Sequence, residues 1–329
     1  NMYTGPKEDV NDLRVVAYNI FQDGMTDAAR VPALERIFKA LDADIIGISE
    51  AYTTTAGDIK SLLDTWQPLG TPNGWYVLKD DFELITASRW PFNGSWPSVT
   101  RQFPTLIDLP PSYGADVLFT NAHLTCCGND GARQAQVDEY AAFILDAKTA
   151  GGVIDLPDNT PFIYGGDLNF VGSGDQLITL ISGAIDYVVT WGPGGPLDWD
   201  NSDLADTKAR QSNAPLTYTY QNTSISYPPG RLDFMIYSDA VMNVEKTFVL
   251  NTANMTPAEL IANGMVLWDT GFSSDHLPVV SDFSFGVKVA AKACLQGPYN
   301  GVDMDDNLRS RGILPSMEPY TALGFTLIG

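Results

Sequence analysis

Six stretches of strand length run apolar and carry a polar or charged residue at one end, and this repetition constrains the fold more than any other feature. LRVVAYN ends at Asn19, ADIIGISE at Glu50, VLFTNAH at His123, and FIYGGDLN at Asp167 and Asn169. RLDFMIY carries Asp233 near its start, and SSDH, with Asp275 and His276, leads into PVVSDFSF. Runs that are β-branched and apolar without alternation suit strands covered on both faces. After the first run, Val31, Leu34, Ile37, Phe38 and Leu41 recur at helical spacing. Val137, Tyr140, Ala141, Ile144 and Leu145 do the same within 131–149, and a further helix is expected over 56–65. WYVL, ELITASRW, VTRQF and NVEKTFVL add strands, whereas WGPGGPLDWDNSD at 191–203 is turn chemistry throughout. Strands that alternate with helices early and then dominate predict an α/β sandwich over residues 1–285. Residues 286–329 change character and read as a tail or the start of an appended module.

Charge narrows the function. The net charge is −21, and all of it falls in residues 1–285, because the tail balances four bases against four acids. Such a field repels polyanions and offers no basic stripe for counterion release, which weighs against tight nucleic-acid binding. It suits salty or extracellular surroundings. No run is apolar and long enough to span a bilayer, and without a basic-then-apolar leader the chain reads as a mature form. Cys126 and Cys127 either pair with each other, or one of them pairs with Cys294; the spacing decides neither and fits no zinc motif.

The polar strand ends fit one chemistry. Hard oxygen donors on Glu50, Asn19 and Asp275 suit Mg²⁺ first, with Mn²⁺ or Ca²⁺ as substitutes. Asp167 and Asn169 can orient and deprotonate a water. His123 and His276 can neutralise a phosphoryl group or protonate its leaving oxygen. Asp233 behind His276 would fix its tautomer and raise its pKa. Singly, each has a plain structural reading: Asn19 as a strand-end cap, Asp167 as a turn former after two glycines, Asp275-His276 as a turn beside Pro278. Together they point to metal-assisted phosphoester hydrolysis.

The order YNI, ISE, NAHL, GGDLN, RLDF and SSDHLPV resembles the endonuclease/exonuclease/phosphatase superfamily from about Leu13 to Phe285. That superfamily includes pancreatic-type deoxyribonuclease, abasic-site endonucleases, inositol polyphosphate 5-phosphatases and bacterial sphingomyelinases. The resemblance implies a four-layer α/β sandwich, with two packed mixed β-sheets flanked by helices and the site at one rim. It casts Glu50 as the main metal ligand, with Asn19 and Asp275 on the metal side. His123 and His276 become the phosphate contacts, Asp167 and Asn169 the pair that positions the water, and Asp233 the carboxylate that orients His276. Ser49 stands where many relatives carry glutamine. Among Asp80, Asp81 and Glu83, one is expected to orient His123, and Glu83 and Arg133 are the candidates on the substrate side. The tail, KACLQGPYNG onward, is similar to segments that follow catalytic domains in secreted Bacteroidetes proteins, which implies export.

The substrate stays open between readings. The charge favours a secreted phosphodiesterase or phosphatase, a monomer by default, acting on small or lipid-derived phosphoesters. The alternative is a secreted endonuclease cleaving DNA or RNA, for which Arg89, Arg101 and Arg133 are scattered groove candidates. A sphingomyelinase-like variant would use Trp90, Trp96, Trp191 and Trp199 at a membrane interface, although the same residues can simply pack over loop ends. A non-catalytic binding module would have lost residues that are all present here.

Overall fold

A computed structural model describes residues 5–172, 174–222 and 227–286. Cys294 and the expected appended module lie outside the described residues. The strands are β1 (Leu13–Asn19), β2 (Ile45–Ser49), β3 (Tyr76–Lys79), β4 (Ile85–Ser88), β5 (Phe92–Ser95), β6 (Gln102–Ile107), β7 (Val117–His123), β8 (Phe162–Asp167), β9 (Ala205–Asp206), β10 (Asp233–Tyr237), β11 (Met242–Val249) and β12 (Val279–Phe285). They form two six-stranded sheets, ordered β11-β12-β1-β2-β4-β3 and β5-β6-β7-β8-β10-β9. Each sheet holds one parallel pair, β1 with β2 and β7 with β8, inside otherwise antiparallel neighbours.

Three apolar layers explain why the strands do not alternate. From β1, Leu13, Val15 and Ala17 point between the sheets, against Phe119, Ile163 and Met235. Val16 and Tyr18 point the other way, onto helices α1 (Val31–Leu41) and α2 (Ala56–Trp66). The second sheet is covered by α3 (Asp130–Ala147) and α4 (Asp175–Ser182), through Val137, Tyr140, Ile144 and Leu180. Both faces of each central strand are therefore dry, and the expected four-layer sandwich is the observed fold. Asn121 ties the layers together: its Nδ2 donates to the carbonyl oxygens of Ile48 and Ile85 in the opposite sheet, at 2.8 and 3.0 Å. Gly47 leaves room for that contact, since a Cβ there would stand 2.8 Å from Asn121 Oδ1 and from the Phe119 ring.

Three short helices follow: α5 (Val188–Trp191), α6 (Pro257–Ala262) and α7 (Asp269–Ser273). Neither α6 nor α7 was expected from apolar spacing, because helices this short carry too few apolar residues to show a period. The signal for α6 was local: Thr256 and Glu259 form a reciprocal capping box ahead of Leu260. The VTRQF strand begins only at Gln102, because Arg101 sits at φ 57, and it then runs on through Pro104 to Ile107.

Candidate active site

The topology brings the polar strand ends together. Asn19 and Ser49 are register partners where β1 and β2 end, and His123 and Asp167 are partners where β7 and β8 end. The carboxyl ends of the two parallel pairs, one from each sheet, thus open on one rim. Antiparallel β10 starts there, with Asp233 paired to Asp167, and Asp275 and His276 lie just before β12 starts. Gly166 allows the close approach beneath Asp167. It sits at φ +143, and a Cβ there would lie 1.9 Å from the carbonyl oxygen of Ala122.

Side chains from both sheets then interlock. Asn19 Nδ2 donates to Glu50 Oε1 at 3.0 Å and to Asp167 Oδ2 at 3.1 Å, while its Oδ1 accepts from the Phe21 N–H at 2.9 Å. Glu50 adopts a left-handed backbone, φ 63, with its N–H bonded to Glu83 Oε2 at 2.7 Å. The other oxygen of Glu83 lies 2.7 Å from His123 Nδ1 and takes Arg101 Nη2 at 2.8 Å. His276 Nδ1 lies 2.7 Å from Asp233 Oδ2, and the Tyr220 ring packs against the imidazole. With Nδ1 occupied in each ring, both Nε2 atoms face one oxygen, Asp167 Oδ2, at 3.6 Å from His123 and 3.5 Å from His276.

This crowding sets the protonation states. For His276, burial lowers the pKa, but Asp233 and then Asp167 more than reverse it and raise it to about 10. Burial likewise opposes the charged form of His123, yet the bond to Glu83 and the charge of Asp167 hold its pKa above the usual imidazole value. Asp167 is pushed up by burial and by Asp233, with His276 pulling the other way. For Glu83, burial is outweighed by His123 and Arg101, and its carboxyl stays below the ordinary range.

Two acidic arrangements could hold a cation. Asp167, Asp233 and His276 offer ligand atoms that all lie within 4.8 Å of one another. Glu50 and Asp275 form the other. Asp275 Oδ1 is buried with no hydrogen-bond partner, as is Asp233 Oδ1 in the first arrangement, and the Asp275 carboxyl pKa is raised by burial and by the charge of Glu50. An orphaned acidic oxygen beside a second carboxylate is an arrangement that a divalent cation relieves.

The sequence profile of the Endonuclease/Exonuclease/phosphatase family matches residues 16–276, which takes in every one of these side chains. The chain belongs to that family. No curated protein sequence matches it at a significant level. Solved structures share the fold at low identity. The ANGEL2 2′,3′-cyclic phosphatase bound to adenosine-2′,3′-vanadate has a TM-score of 0.55 at 16% identity, covering 84% of this chain and 97% of that one. An endonuclease/exonuclease/phosphatase from Bacteroides vulgatus gives 0.53 at 15%, covering 83% and 99%. D. rerio TDP2 with a single-strand DNA product gives 0.50 at 13%, again covering 83% and 99%.

Within this family member, Asn19, Glu50, His123, Asp167, Asn169, Asp233, Asp275 and His276 all meet at the rim. Asn169 is held there by its Nδ2 on the Leu124 carbonyl at 3.1 Å and its N–H on Asp167 Oδ1 at 3.1 Å. The two substrate-side candidates are placed otherwise. Glu83 is buried behind His123 and orients it, the role open among the three nearby acids. Arg133 is neither a phosphate contact nor a surface residue. It is fully buried, with Nη1 on the carbonyls of Thr125 and Cys127, and Nη2 on Asp130 and the Val171 carbonyl. The groove candidates Arg89 and Arg101 are equally engaged, by Asp42 and Asp44 and by Glu83. Trp90, Trp96, Trp191 and Trp199 pack onto the apolar layers rather than project to an interface. Sequence spacing gave no sign of Tyr220 or of Thr219, whose Oγ1 accepts from the N–H groups of Leu232 and Asp233. Both lie far from the strand-end motifs they support.

Proposed function

We propose that this chain is a divalent-cation-dependent phosphoester hydrolase, with Mg²⁺ the natural ion, acting on small phosphoesters. The observation that carries the reading is the pair of Nε2 atoms, one from each sheet, that face Asp167 Oδ2 at 3.5 and 3.6 Å. Two cationic donors beside a carboxylate form a place where a phosphoryl group can be bound next to a base.

Each residue takes a role from its surroundings. Asp167, less acidic than an exposed aspartate and steadied by Asn19 and the Asn169 N–H, accepts the proton of the attacking water. His276 and His123 present N–H groups to the phosphoryl oxygens, where negative charge grows. Asp233 and Glu83 keep those rings protonated and aimed. Glu50 and Asp275 would hold the cation; a bound cation supplies electrophilic stabilisation of the phosphoryl group. Asn19 spends its amide on Glu50 and Asp167, so it positions these two rather than serving chiefly as a ligand. We prefer Glu50 and Asp275 over the Asp167–Asp233–His276 cluster, because a protonated imidazole is not a metal ligand.

Local charge supports the cation. Five carboxylates (Glu50, Glu83, Asp167, Asp233, Asp275) face Arg101 and two imidazoles, leaving an excess of two negative charges even with both rings protonated. Engaged arginines and the net charge of −21 support a small phosphoester over a nucleic acid. The Cys126–Cys127 disulfide fits an oxidising compartment and supports export. The experiment runs bis-p-nitrophenyl phosphate, p-nitrophenyl phosphate and plasmid DNA side by side, with Mg²⁺ and then with chelator. Turnover of a small ester with intact plasmid is expected; rapid nicking with sluggish esters would replace this reading with the nuclease.

A further inference from the structure

The cleft that holds the hydrolytic residues measures about 480 Å³. Its lining also includes Cys126 and Cys127, joined to each other as a disulfide, and Phe170, Tyr227, Pro228 and Pro229, none of which the hydrolysis uses. Building on the proposed hydrolysis, we propose that these residues form a binding subsite for a ring-bearing substituent of the phosphoester that carries no negative charge. The disulfide is its fixed wall.

Charge comes first. Among the described residues lining the cleft, Arg231 is the sole lysine or arginine. Both of its terminal nitrogens bind Asp206, at 2.7 and 2.5 Å, and its guanidinium lies over the Phe234 ring at 4.0 Å. No lysine or arginine is left for a second phosphate or a carboxylate, so an anionic substituent would be desolvated there without a partner. Apolar and aromatic walls instead favour a ring, and sulfur against an aromatic face is itself a favourable contact.

Rigidity comes second. The disulfide loop has three successive carbonyls held by side chains: Arg133 Nη1 on Thr125 at 2.9 Å and on Cys127 at 2.7 Å, and Asn129 Nδ2 on Cys126 at 2.9 Å. Gln136 adds a bond to the Thr125 N–H at 3.0 Å and another to its hydroxyl at 2.8 Å. Cys127 is kept at φ 69. A fully buried arginine that commits one terminal nitrogen to two carbonyls of this loop, and the other to Asp130 and the Val171 carbonyl, holds it still against its neighbours. Walls fixed before binding lose little entropy when a ligand arrives, so the anchoring has a direct use at a recognition surface. It also accounts for Arg133, which the hydrolytic chemistry does not use.

The test reads binding without turnover, in an Asp167→Asn background that lacks the proposed base. Diphenyl phosphate and dimethyl phosphate are titrated calorimetrically, in saturating Mg²⁺, into that background with the subsite wild type, with Cys126→Ser/Cys127→Ser and with Tyr227→Ala. The wild-type subsite should prefer diphenyl phosphate about tenfold or more. Each variant should lose about fivefold of that preference, the value of uncovering roughly 40 Å² of ring face, with dimethyl phosphate affinity unchanged. If the cysteine variant fails to melt cooperatively, Tyr227→Ala and the wild-type subsite in a phosphine reductant decide. No preference with the wild-type subsite, or a preference untouched in the variants, overturns the subsite. Dimethyl phosphate binding without preference, where the chain that keeps Asp167 turns esters over, sinks the subsite and spares the hydrolase reading. A clear preference, where that chain hydrolyses no ester, does the reverse.

Discussion

Asp233→Asn separates charge from geometry at the centre. The carboxylate lies 2.7 Å from His276 Nδ1, and the backbone of β10 at this point is held independently, through Thr219. An amide oxygen can still accept from Nδ1–H, so the ring should keep its place and lose only its counter-charge. Two unit charges about 4 Å apart attract by about 4 kcal/mol at an effective dielectric of 20, which is roughly three pKa units. His276, at about 10 in the wild type, should therefore fall to roughly 7 in the variant. At pH 6 both rings are charged and the rates should nearly agree; at pH 9 the charged fractions are about 90% and about 1%, a roughly ninety-fold gap. A bound cation lowers both pKa values and preserves most of the difference. The assay is kcat/KM for bis-p-nitrophenyl phosphate from pH 5.5 to 9.5, in the same Mg²⁺. Parallel pH profiles, with one constant loss at every pH, would refute the reasoning and leave Asp233 a purely geometric part. Stability in chelator gives the same sign. A histidine raised from 6.5 to about 10 on folding contributes fully below pH 6.5, and that contribution drains away as pH rises toward 10.

The other expectations are simpler. With cation at about 100 times its Kd, the wild type should melt about 5–10 °C higher, and Glu50→Gln and Asp275→Asn should each flatten that response; an undiminished shift in both would move the ion elsewhere. Gly166→Ala forces a Cβ to within 1.9 Å of a backbone oxygen, so it should cost about 4 kcal/mol or more, or prevent folding; a wild-type urea midpoint would contradict the close approach of β7 and β8. Arg133→Ala should lose about 3 kcal/mol in urea unfolding by stranding buried carbonyls, whereas a surface arginine would change stability by under about 0.5 kcal/mol.

The strands and the site were legible for the same reason. A strand buried on both faces must be apolar along its length, so a polar residue that ends it stands out as something the core did not ask for. Asn19, Glu50, His123 and Asp167 are visible on that ground alone. What the sequence hid was partnership. Nothing in its spacing tells that Glu83, on the loop before β4, turns one oxygen to His123 and the other to the Glu50 N–H. Arg133 misled for a related reason. An arginine at a helix start near a histidine motif suggests a phosphate, and only the path of the loop shows its donors already taken by protein carbonyls. The short helices α6 and α7 escaped because periodicity needs more than one turn to register.

Net charge bears on partners and says little about the centre. A value of −21 argues that long polyanions are repelled, but it is a sum over a surface, whereas chemistry depends on a few buried groups. Within the rim the carboxylates do not simply repeat that sum. Two of them, Glu83 and Asp233, are matched to the imidazoles at 2.7 Å. Asp167 sits between both rings, and Glu50 is steadied by Asn19 and the Gln22 N–H. Asp275 is left with an oxygen that is buried and has no hydrogen-bond partner. Burying such an oxygen is costly unless something binds to it in the working state. Asp233 Oδ1, behind His276, is buried and unpartnered in the same way, so the orphaned oxygens call for a cation without choosing its place. The choice falls to the imidazole of His276, which Asp233 and Asp167 keep protonated and so unfit as a ligand, whereas Glu50 and Asp275 bring two carboxylates together with no imidazole between them.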